Sequence, residues 1–262
     1  MSPIRIAGIA EITCRRLKEP ALVILLLFGI IFGYTISEME TFSFQEDLLM
    51  SQVKLTNLEK PILGSFLMIA FLTILIGIFT GASEIPKDIE TRMVLILLGK
   101  PITRNEYLVG KFIGVLTICI IFFGLSGLSV IVGHLIKTGH LHDFRLILRQ
   151  FSLISIVLPF LAMSVFISCF LAEISAMIVT VIYVFCCFAF CIIPILIAIL
   201  PKSISFKSPI LAIYYFFPNF YLFLIPFKFT GIVQIFILLY AIAVSGIFLS
   251  LSSLRINNRD LI

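Results

Sequence analysis

Charged residues are scarce in this sequence, and six long stretches contain no Asp, Glu, Lys or Arg at all. Only 13% of its 262 residues are charged, whereas 61% are hydrophobic. A water-soluble domain of this size does not carry such a composition, because it would have too little polar surface to stay dissolved. The sequence therefore predicts an all-α integral membrane protein.

The six uncharged stretches have the lengths expected of membrane-spanning helices, since a helix needs roughly 20 apolar residues to cross a bilayer. Residues 21–37 form the shortest stretch and also suggest a secretory signal. No small-x-small cleavage site follows it, so a retained first span is the preferred interpretation. We predict six transmembrane helices in one domain, 1–262, over residues 21–37, 61–83, 112–136, 151–172, 174–201 and 229–254.

The lack of charge inside these stretches argues against several classes of membrane protein. Ion-coupled transporters, voltage sensors and proton pumps place ionisable residues at depth, and an intramembrane aspartyl protease needs two carboxylates there. His134 lies near the end of a span, and His140 and His142 cluster in one outer loop without a strained nucleophile turn. The sequence therefore predicts no catalytic residue.

Metal and nucleotide sites are also poorly supported. The six cysteines lack the paired spacing of a zinc ribbon or a disulfide framework, although Cys187 and Cys191 share a helix face, which leaves a soft-metal pathway open. His140 and His142 form an H-x-H pair, but on a loop beside Asp143 a solvated surface is favoured. No GxxxxGK[ST] loop occurs. We predict no metal and no cofactor. If the chain moves a solute, the free energy must therefore enter through another protein.

The distribution of basic residues bears on partners and orientation. The net charge of +5 is scattered over every loop, which does not indicate nucleic-acid binding. With the N-terminus inside, eleven Lys and Arg fall on the cytoplasmic side and eight outside. The positive-inside rule therefore favours cytoplasmic N- and C-termini, by a small margin.

The N-terminal tail, 1–19, is predicted to be an amphipathic interfacial helix at the lipid surface. Pro20 permits a turn into the bilayer at a first helical position. A merely solvated basic tail is the alternative. The apolar side carries Ile6, Ile9, Ala10, Thr13, Cys14 and Leu17, and the polar side carries Arg5, Glu11, Arg15, Arg16, Lys18 and Glu19.

Residues 201–230 combine three lysines and no acid with an aromatic run that Pro209, Pro218 and Pro226 interrupt. Each half is too short to cross the bilayer. Two short helices that dip into the outer leaflet and return are the preferred interpretation. The alternative is a seventh, proline-kinked span over 209–227, which would place the C-terminus outside.

The segment 84–111 places nine charged residues between two long apolar runs. Pro86 permits helix entry and Pro101 ends the pattern, so a short cytoplasmic helix is predicted there. Its apolar residues are too many for a free loop, which favours a docking partner or the bilayer edge over a plain connecting loop. The order of charges suits the dipole of such a helix, with acids near its N-terminal end and a base near its C-terminal end. The acids are Glu84, Asp88 and Glu90, and the base is Lys100.

At these residues the chain resembles the ABC-2 type permease subunits of ATP-binding-cassette exporters, especially their NosY-like branch. The pattern there reads E-I-E-x-R-T, then L-L-x-K-P, x-x-R and G-K, and this chain reads DIETRM, LLGKP, ITR and YLVGK. Met93 departs where the pattern has Thr. The matching residues are Arg92, Lys100, Pro101, Arg104, Gly110 and Lys111, and a similar aromatic-Pro-Asn segment supplies Pro218, Asn219 and Phe220.

The resemblance implies the six-span ABC-2 permease fold in a bacterial inner membrane, with a cytoplasmic coupling helix and re-entrant helices before the last span. It implies partnership with a second permease copy, identical or related, and with cytoplasmic ABC ATPases that hydrolyse ATP, so the chain itself is not an enzyme. The competing interpretation is a non-transporting scaffold or mechanotransmission subunit that anchors an ATPase. The residues expected to couple to the ATPase are Glu84, Asp88, Glu90, Arg92, Lys100, Pro101, Arg104, Gly110, Lys111 and Glu173.

Three interpretations stay open at this point. Gly29 with Gly33, and Gly77 with Gly81, offer small-xxx-small faces that fit packing within one subunit or between two. Glu173 lies between the fourth and fifth spans and fits a second ATPase contact or a solvated turn. The spans, rich in apolar and hydroxyl-bearing residues, suit an amphiphilic or lipid cargo better than a hydrated ion.

Overall fold

The computed structural model describes residues 2–15, 20–38, 59–92, 102–138, 153–190 and 231–257, and seven α-helices make up most of them. Each of the six predicted spans overlaps one helix, and the all-α prediction is confirmed for these residues. The helices are α1 Pro3–Cys14, α2 Pro20–Glu38, α3 Glu59–Glu90, α4 Arg104–Thr138, α5 Ile154–Ser168, α6 Glu173–Phe190 and α7 Gly231–Asn257.

Three helical segments within the described ranges are long and apolar enough to cross a membrane: Ser65–Glu90, Arg104–Ile136 and Gln234–Ile256. Ile154–Ser168 and Glu173–Cys187 are apolar but shorter. The helix α4 has 35 residues, about 52 Å at 1.5 Å per residue, against a hydrocarbon core of about 30 Å. It therefore extends beyond the hydrocarbon on at least one side.

The helix α5 lies at the centre of the bundle, packed chiefly between α3 and α7 and also touching α4 and α6. Eleven of its 15 residues are buried. A helix that is hydrophobic around its whole circumference has no polar face that must reach water, so it can occupy this central position. Phe66 of α3, Phe123 of α4 and Phe160 of α5 are among the largest fully buried side chains of the core.

The Gly77 and Gly81 pair packs within the subunit. A Cβ added to Gly77 would lie 3.1 Å from Cys119 Sγ, and one added to Gly81 would lie 3.0 Å from Ser164 Oγ. The Ser164 hydroxyl also donates to the Ile78 carbonyl at 3.1 Å. The close approach of α3 to α5 therefore uses the Gly77 and Gly81 face inside one chain.

A belt of exposed apolar side chains surrounds the bundle. A monomer in water rarely exposes contiguous apolar surface of this extent, and lipid is the natural solvent for it. The belt includes Ile24 and Ile31 of α2, Ile120 and Leu128 of α4, Ile174 and Ile182 of α6, and Phe236 and Ile247 of α7.

The N-terminal tail forms the helix α1, one side of which is buried, whereas its predicted position at the lipid surface stays a prediction. Ile9, Ala10 and Thr13 are buried, while Arg5 and Arg15 are exposed. The buried side packs on α4, so at least part of the apolar face that suggested lipid contact is covered by protein.

The predicted start of a separate helix at Pro86 is wrong. The helix α3 continues through Pro86 and ends at Glu90. The acids Glu84, Asp88 and Glu90 therefore lie at the C-terminal end of a long helix, where its dipole disfavours negative charge, and not at the N-terminal end of a short one. Proline removes one backbone hydrogen bond, but packing of the surrounding turns can hold the helix together across it.

Several predicted features lie outside the described residues and stay predictions. They are Lys100 and Pro101 of the segment 84–111, the re-entrant segment 201–230 with Pro218, Asn219 and Phe220, and His140, His142 and Cys191.

Candidate functional site

Charged side chains from five parts of the fold meet at one end of the bundle, which we call the charged end. They come from α1, the end of α3, the start of α4, the start of α6 and the end of α7. Because hydrocarbon excludes unpaired charge, this end lies at or beyond the membrane surface. It comprises Arg5, Glu84, Lys87, Asp88, Glu90, Arg92, Arg104, Glu106, Lys111, Glu173 and Arg255.

Lys111 stands at the centre of a buried ionic cluster between α3 and α4. Its Nζ lies 2.8 Å from Glu84 Oε2 and 2.7 Å from Asp88 Oδ2. The Tyr107 hydroxyl donates to the same Asp88 oxygen at 2.7 Å. All four side chains are buried, and we call them the Lys111 cluster.

The Lys111 cluster explains how two acids are tolerated at the end of α3. Glu84 and Asp88 lie one helical turn apart on the same face, so a single ammonium group can reach both. A buried pair stabilises little relative to apolar residues, but removal of one partner leaves charge in a medium that cannot solvate it. The cluster therefore fixes the register between α3 and α4.

The start of α4 is capped by a reciprocal pair of hydrogen bonds. The Thr103 amide donates to Glu106 Oε2 at 3.0 Å, and the Glu106 amide donates to Thr103 Oγ1 at 3.3 Å. This is a capping box, which satisfies two backbone donors that a helix otherwise leaves free. The other oxygen, Glu106 Oε1, accepts from the Ser2 amide at 2.6 Å, and Arg5 Nη1 lies 3.9 Å from Oε2. Glu106 therefore holds α1 as well as capping α4.

Two glycines of α4 form a groove for α1. A Cβ added to Gly110 would lie 2.7 Å from the Cβ of Ile9, and one added to Gly114 would lie 2.5 Å from the Cβ of Thr13. The Cys14 thiol donates to the Gly114 carbonyl at 3.6 Å. Burial raises the pKa of the Cys14 thiol, so the thiol should react slowly while α1 is docked.

The end of α7 also docks on the start of α4. Arg104 donates to the Ile256 carbonyl at 2.7 Å, and the Ser253 hydroxyl donates to Asn105 Oδ1 at 2.7 Å. A cation near the C-terminus of a helix satisfies a free carbonyl and complements the dipole. Arg255 lies over the Phe170 ring at 5.1 Å, which attaches α7 to the turn between α5 and α6.

The tip of the charged end is formed by the last turn of α3. Lys87 forms an ion pair of 3.1 Å with Glu173, and both charges suit the dipoles of the helix ends that carry them. Glu90 and Arg92 follow and are exposed. Arg92 has a φ of 56°, and among the described residues it alone combines positive φ with a side chain.

The predicted coupling residues thus divide into two groups. Glu84, Asp88, Gly110 and Lys111 are buried within the chain, so in this conformation they offer no surface to a partner. Arg104 binds α7 and Glu173 pairs with Lys87, while Glu90 and Arg92 point into solvent. Contact with an ATPase stays a prediction, and it rests mainly on these exposed residues.

Sequence reasoning missed Thr103, Glu106, Tyr107 and Gly114. The T-x-x-E spacing of Thr103 and Glu106 is a recognisable capping-box signature, and Gly110 with Gly114 is a G-x-x-x-G pair. No local sequence pattern indicates a role for Tyr107, because its partner Asp88 lies 19 residues away on another helix.

Comparison with known families now identifies the chain. A family model described as ABC-2 family transporter protein matches residues 15–260. The chain belongs to the ABC-2 transporter family. No curated protein matches it. As an ABC-2 protein it is a multi-pass membrane permease component of an ABC transporter and a non-catalytic one. The family match begins at residue 15, just after α1. The docking of α1 on α4 is therefore known from the structure and not from the match.

Replacing Glu106 by Ala is expected to loosen the start of α4 and the attachment of α1 together, because one carboxylate serves both. Thermal stability should fall by a few degrees, and proteolysis within α1 should become several times faster. Glu11→Ala is the matched control, since among the described residues Glu11 pairs only with Arg15, on the exposed side of α1. Equal protease sensitivity of the two variants would contradict a holding role for Glu106.

Proposed function

We propose that this ABC-2 protein is the permease subunit of an ABC exporter, that two permease subunits form the translocation pathway, and that separate cytoplasmic ATPases drive it through the charged end. The observation that carries the proposal is the family match over residues 15–260. The uncharged stretches support it, because a chain without ionisable groups at depth has no means of its own to couple to an ion gradient.

The reach of α3 and α4 supports an interaction outside the bilayer. Ser83 is the last residue of the uncharged stretch on α3, and Glu90 ends the helix seven residues later, about 10 Å further along the axis. The headgroup layer of one leaflet is only about 5–8 Å thick. The tip with Glu90 and Arg92 therefore stands in the aqueous phase, where an ATPase can bind it.

The two groups of residues have different roles in this proposal. The exposed tip touches the ATPase, together with the residues 93–101. The Lys111 cluster holds the ends of α3 and α4 to each other, so a force on the tip moves both helices. Glu173, through its pair with Lys87, extends the same linkage to α6.

The orientation belongs to the proposal as well. We propose that the charged end is the cytoplasmic end. This orientation is consistent with cytoplasmic termini and six crossings of a bacterial inner membrane, and with the NosY-like branch. C-terminal reporter fusions test the topology directly. Reporter activity outside the cell would favour a seventh crossing within 209–227 and would overturn the predicted orientation.

The decisive experiment reconstitutes the chain with candidate ABC ATPases from the same organism. The complex should hydrolyse ATP at a rate that a lipid or other amphiphilic cargo changes several-fold, and nucleotide should alter the shape of the permease. An ATPase rate that no cargo affects, with one permease shape in all nucleotide states, would favour the scaffold. Accumulation of solute by vesicles that contain the chain alone under an imposed gradient would exclude both interpretations.

A further inference from the structure

The end of α3 places an arginine where helices normally use glycine. The Thr91 amide donates to the Lys87 carbonyl at 2.9 Å, and the Arg92 amide donates to the Ile89 carbonyl at 3.1 Å. Arg92 then takes a φ of 56°, in the left-handed region. This position after the helix cap favours Gly or Asn, because a Cβ there crowds the backbone.

Nothing in the described part of the chain accounts for this choice. The Arg92 side chain is exposed, and no described residue forms an ion pair or hydrogen bond with its guanidinium. The other cations nearby are compensated, Lys87 by Glu173 and Lys111 by Glu84 and Asp88. A strained backbone that presents an uncompensated cation indicates a role outside the chain.

We infer that Arg92 is held in the left-handed turn to present its guanidinium to a carboxylate on the partner ATPase. This inference rests on the proposed function and specifies the chemistry of one contact. A guanidinium donates two parallel hydrogen bonds to a carboxylate, a geometry that lysine does not reproduce. The Arg92 side chain is exposed at the tip, where a partner can reach it.

A protein carboxylate fits this position better than a lipid phosphate. Arg92 lies beyond Glu90, which itself stands about 10 Å past the uncharged stretch, whereas the headgroup layer reaches only about 5–8 Å. A lipid-binding arginine is expected nearer to Ser83. The exposed Glu90 two residues earlier would also repel an anionic surface, whereas a defined carboxylate on a protein can avoid it.

The Arg92→Gly variant tests the role of the side chain separately from that of the backbone turn, because glycine adopts the left-handed turn without strain. The test uses the permease co-expressed with the ABC ATPase that the reconstitution identifies as its partner. Arg92→Gly should keep or slightly raise the melting temperature of the isolated permease, within about 3 °C. ATPase affinity should fall roughly tenfold to hundredfold, and Arg92→Lys should give an intermediate loss.

Arg15→Ala is the matched control, since Arg15 is an exposed arginine outside the charged end that pairs with Glu11 within α1. It should leave ATPase affinity within about twofold. Reversal of the charge, Arg92→Glu, should be rescued by one acid-to-arginine substitution on the ATPase, found by scanning its exposed carboxylates.

The outcomes distinguish the inference from the proposed function. Wild-type affinity in Arg92→Gly would overturn the role of Arg92 and leave the permease assignment intact. Failure of the wild-type chain to bind the ATPase would instead overturn the proposed function for that partner. Unchanged ATPase affinity with weaker binding of Arg92→Gly to vesicles containing phosphatidylglycerol would assign Arg92 to lipid phosphate and reject the carboxylate.

Discussion

Lys111→Met should destabilise the protein more than any other single substitution at the charged end. Lys111 is almost fully buried and lies within 2.8 Å of both Glu84 and Asp88. Without it, two carboxylates remain close together in a medium that cannot solvate them, a loss of about 3–5 kcal/mol. Heating the detergent-solubilised protein and following the monodisperse fraction measures the effect.

The control for charge alone is Lys87→Met. Lys87 also pairs with an acid, Glu173, but its side chain is 46% exposed, so its loss should be below about 1 kcal/mol. The triple variant Glu84→Gln, Asp88→Asn and Lys111→Met removes all three charges and should recover most of the stability. A Lys111→Met protein as stable as wild type would show that water reaches the cluster and that it does not fix α3 to α4.

The double variant Gly110→Ala and Gly114→Ala is expected to release α1 from α4. Each added methyl would overlap a side chain of α1, at 2.7 Å from Ile9 and 2.5 Å from Thr13. The groove also meets backbone, the Ile6 carbonyl at 3.2 Å and the Ala10 carbonyl at 3.1 Å, so rotation of a side chain cannot relieve the clash. The helix must therefore move.

Cys14 provides a native reporter of this release. Its thiol is partly buried and bonded to the Gly114 carbonyl while α1 is docked. Maleimide modification of the Cys14 peptide, read by mass spectrometry, should become about tenfold faster or more in the double variant, since modification requires access to the thiolate. Gly124→Ala and Gly246→Ala are the controls, because a Cβ at either site meets nothing within 4 Å. Equal Cys14 rates in all variants would show that α1 does not depend on the groove.

The helices of this protein were predictable because the bilayer leaves the backbone little choice. An uncharged run in lipid must satisfy its backbone amides internally, so residues 61–83, 112–136 and 231–254 form helices whatever their neighbours do. Helix ends were less predictable. Proline is common in the first turn of a helix, so Pro86 predicted a helix start. The turns before Pro86 are already helical, however, and tertiary packing allows α3 to continue to Glu90.

The interior of the charged end could not be predicted from the sequence. Lys111 follows Glu84 by 27 residues, and their contact depends on the register between two helices that local patterns do not specify. A dense set of charges suggests exposure, since charged side chains are seldom buried unless paired. Here the pairing is complete enough to bury Glu84, Asp88 and Lys111, and only the tip behaves as the pattern suggests.

The glycine pairs show a different limit of prediction from the sequence. Close approach of helices uses small residues for the same physical reason within one subunit and between two. The sequence therefore identified Gly77 and Gly81 as a contact face but left its partner open. Only the position of Ser164 on α5 assigns that face to the interior of one chain.

The unbroken run of α4 has a mechanical consequence. Its 35 residues contain no proline, so the rod is stiff over about 52 Å. A rotation of about 5° about its first turn at Arg104 would move the opposite end of the helix sideways by about 4–5 Å. A gap of that width can thus open at one end of the bundle while the other end scarcely moves.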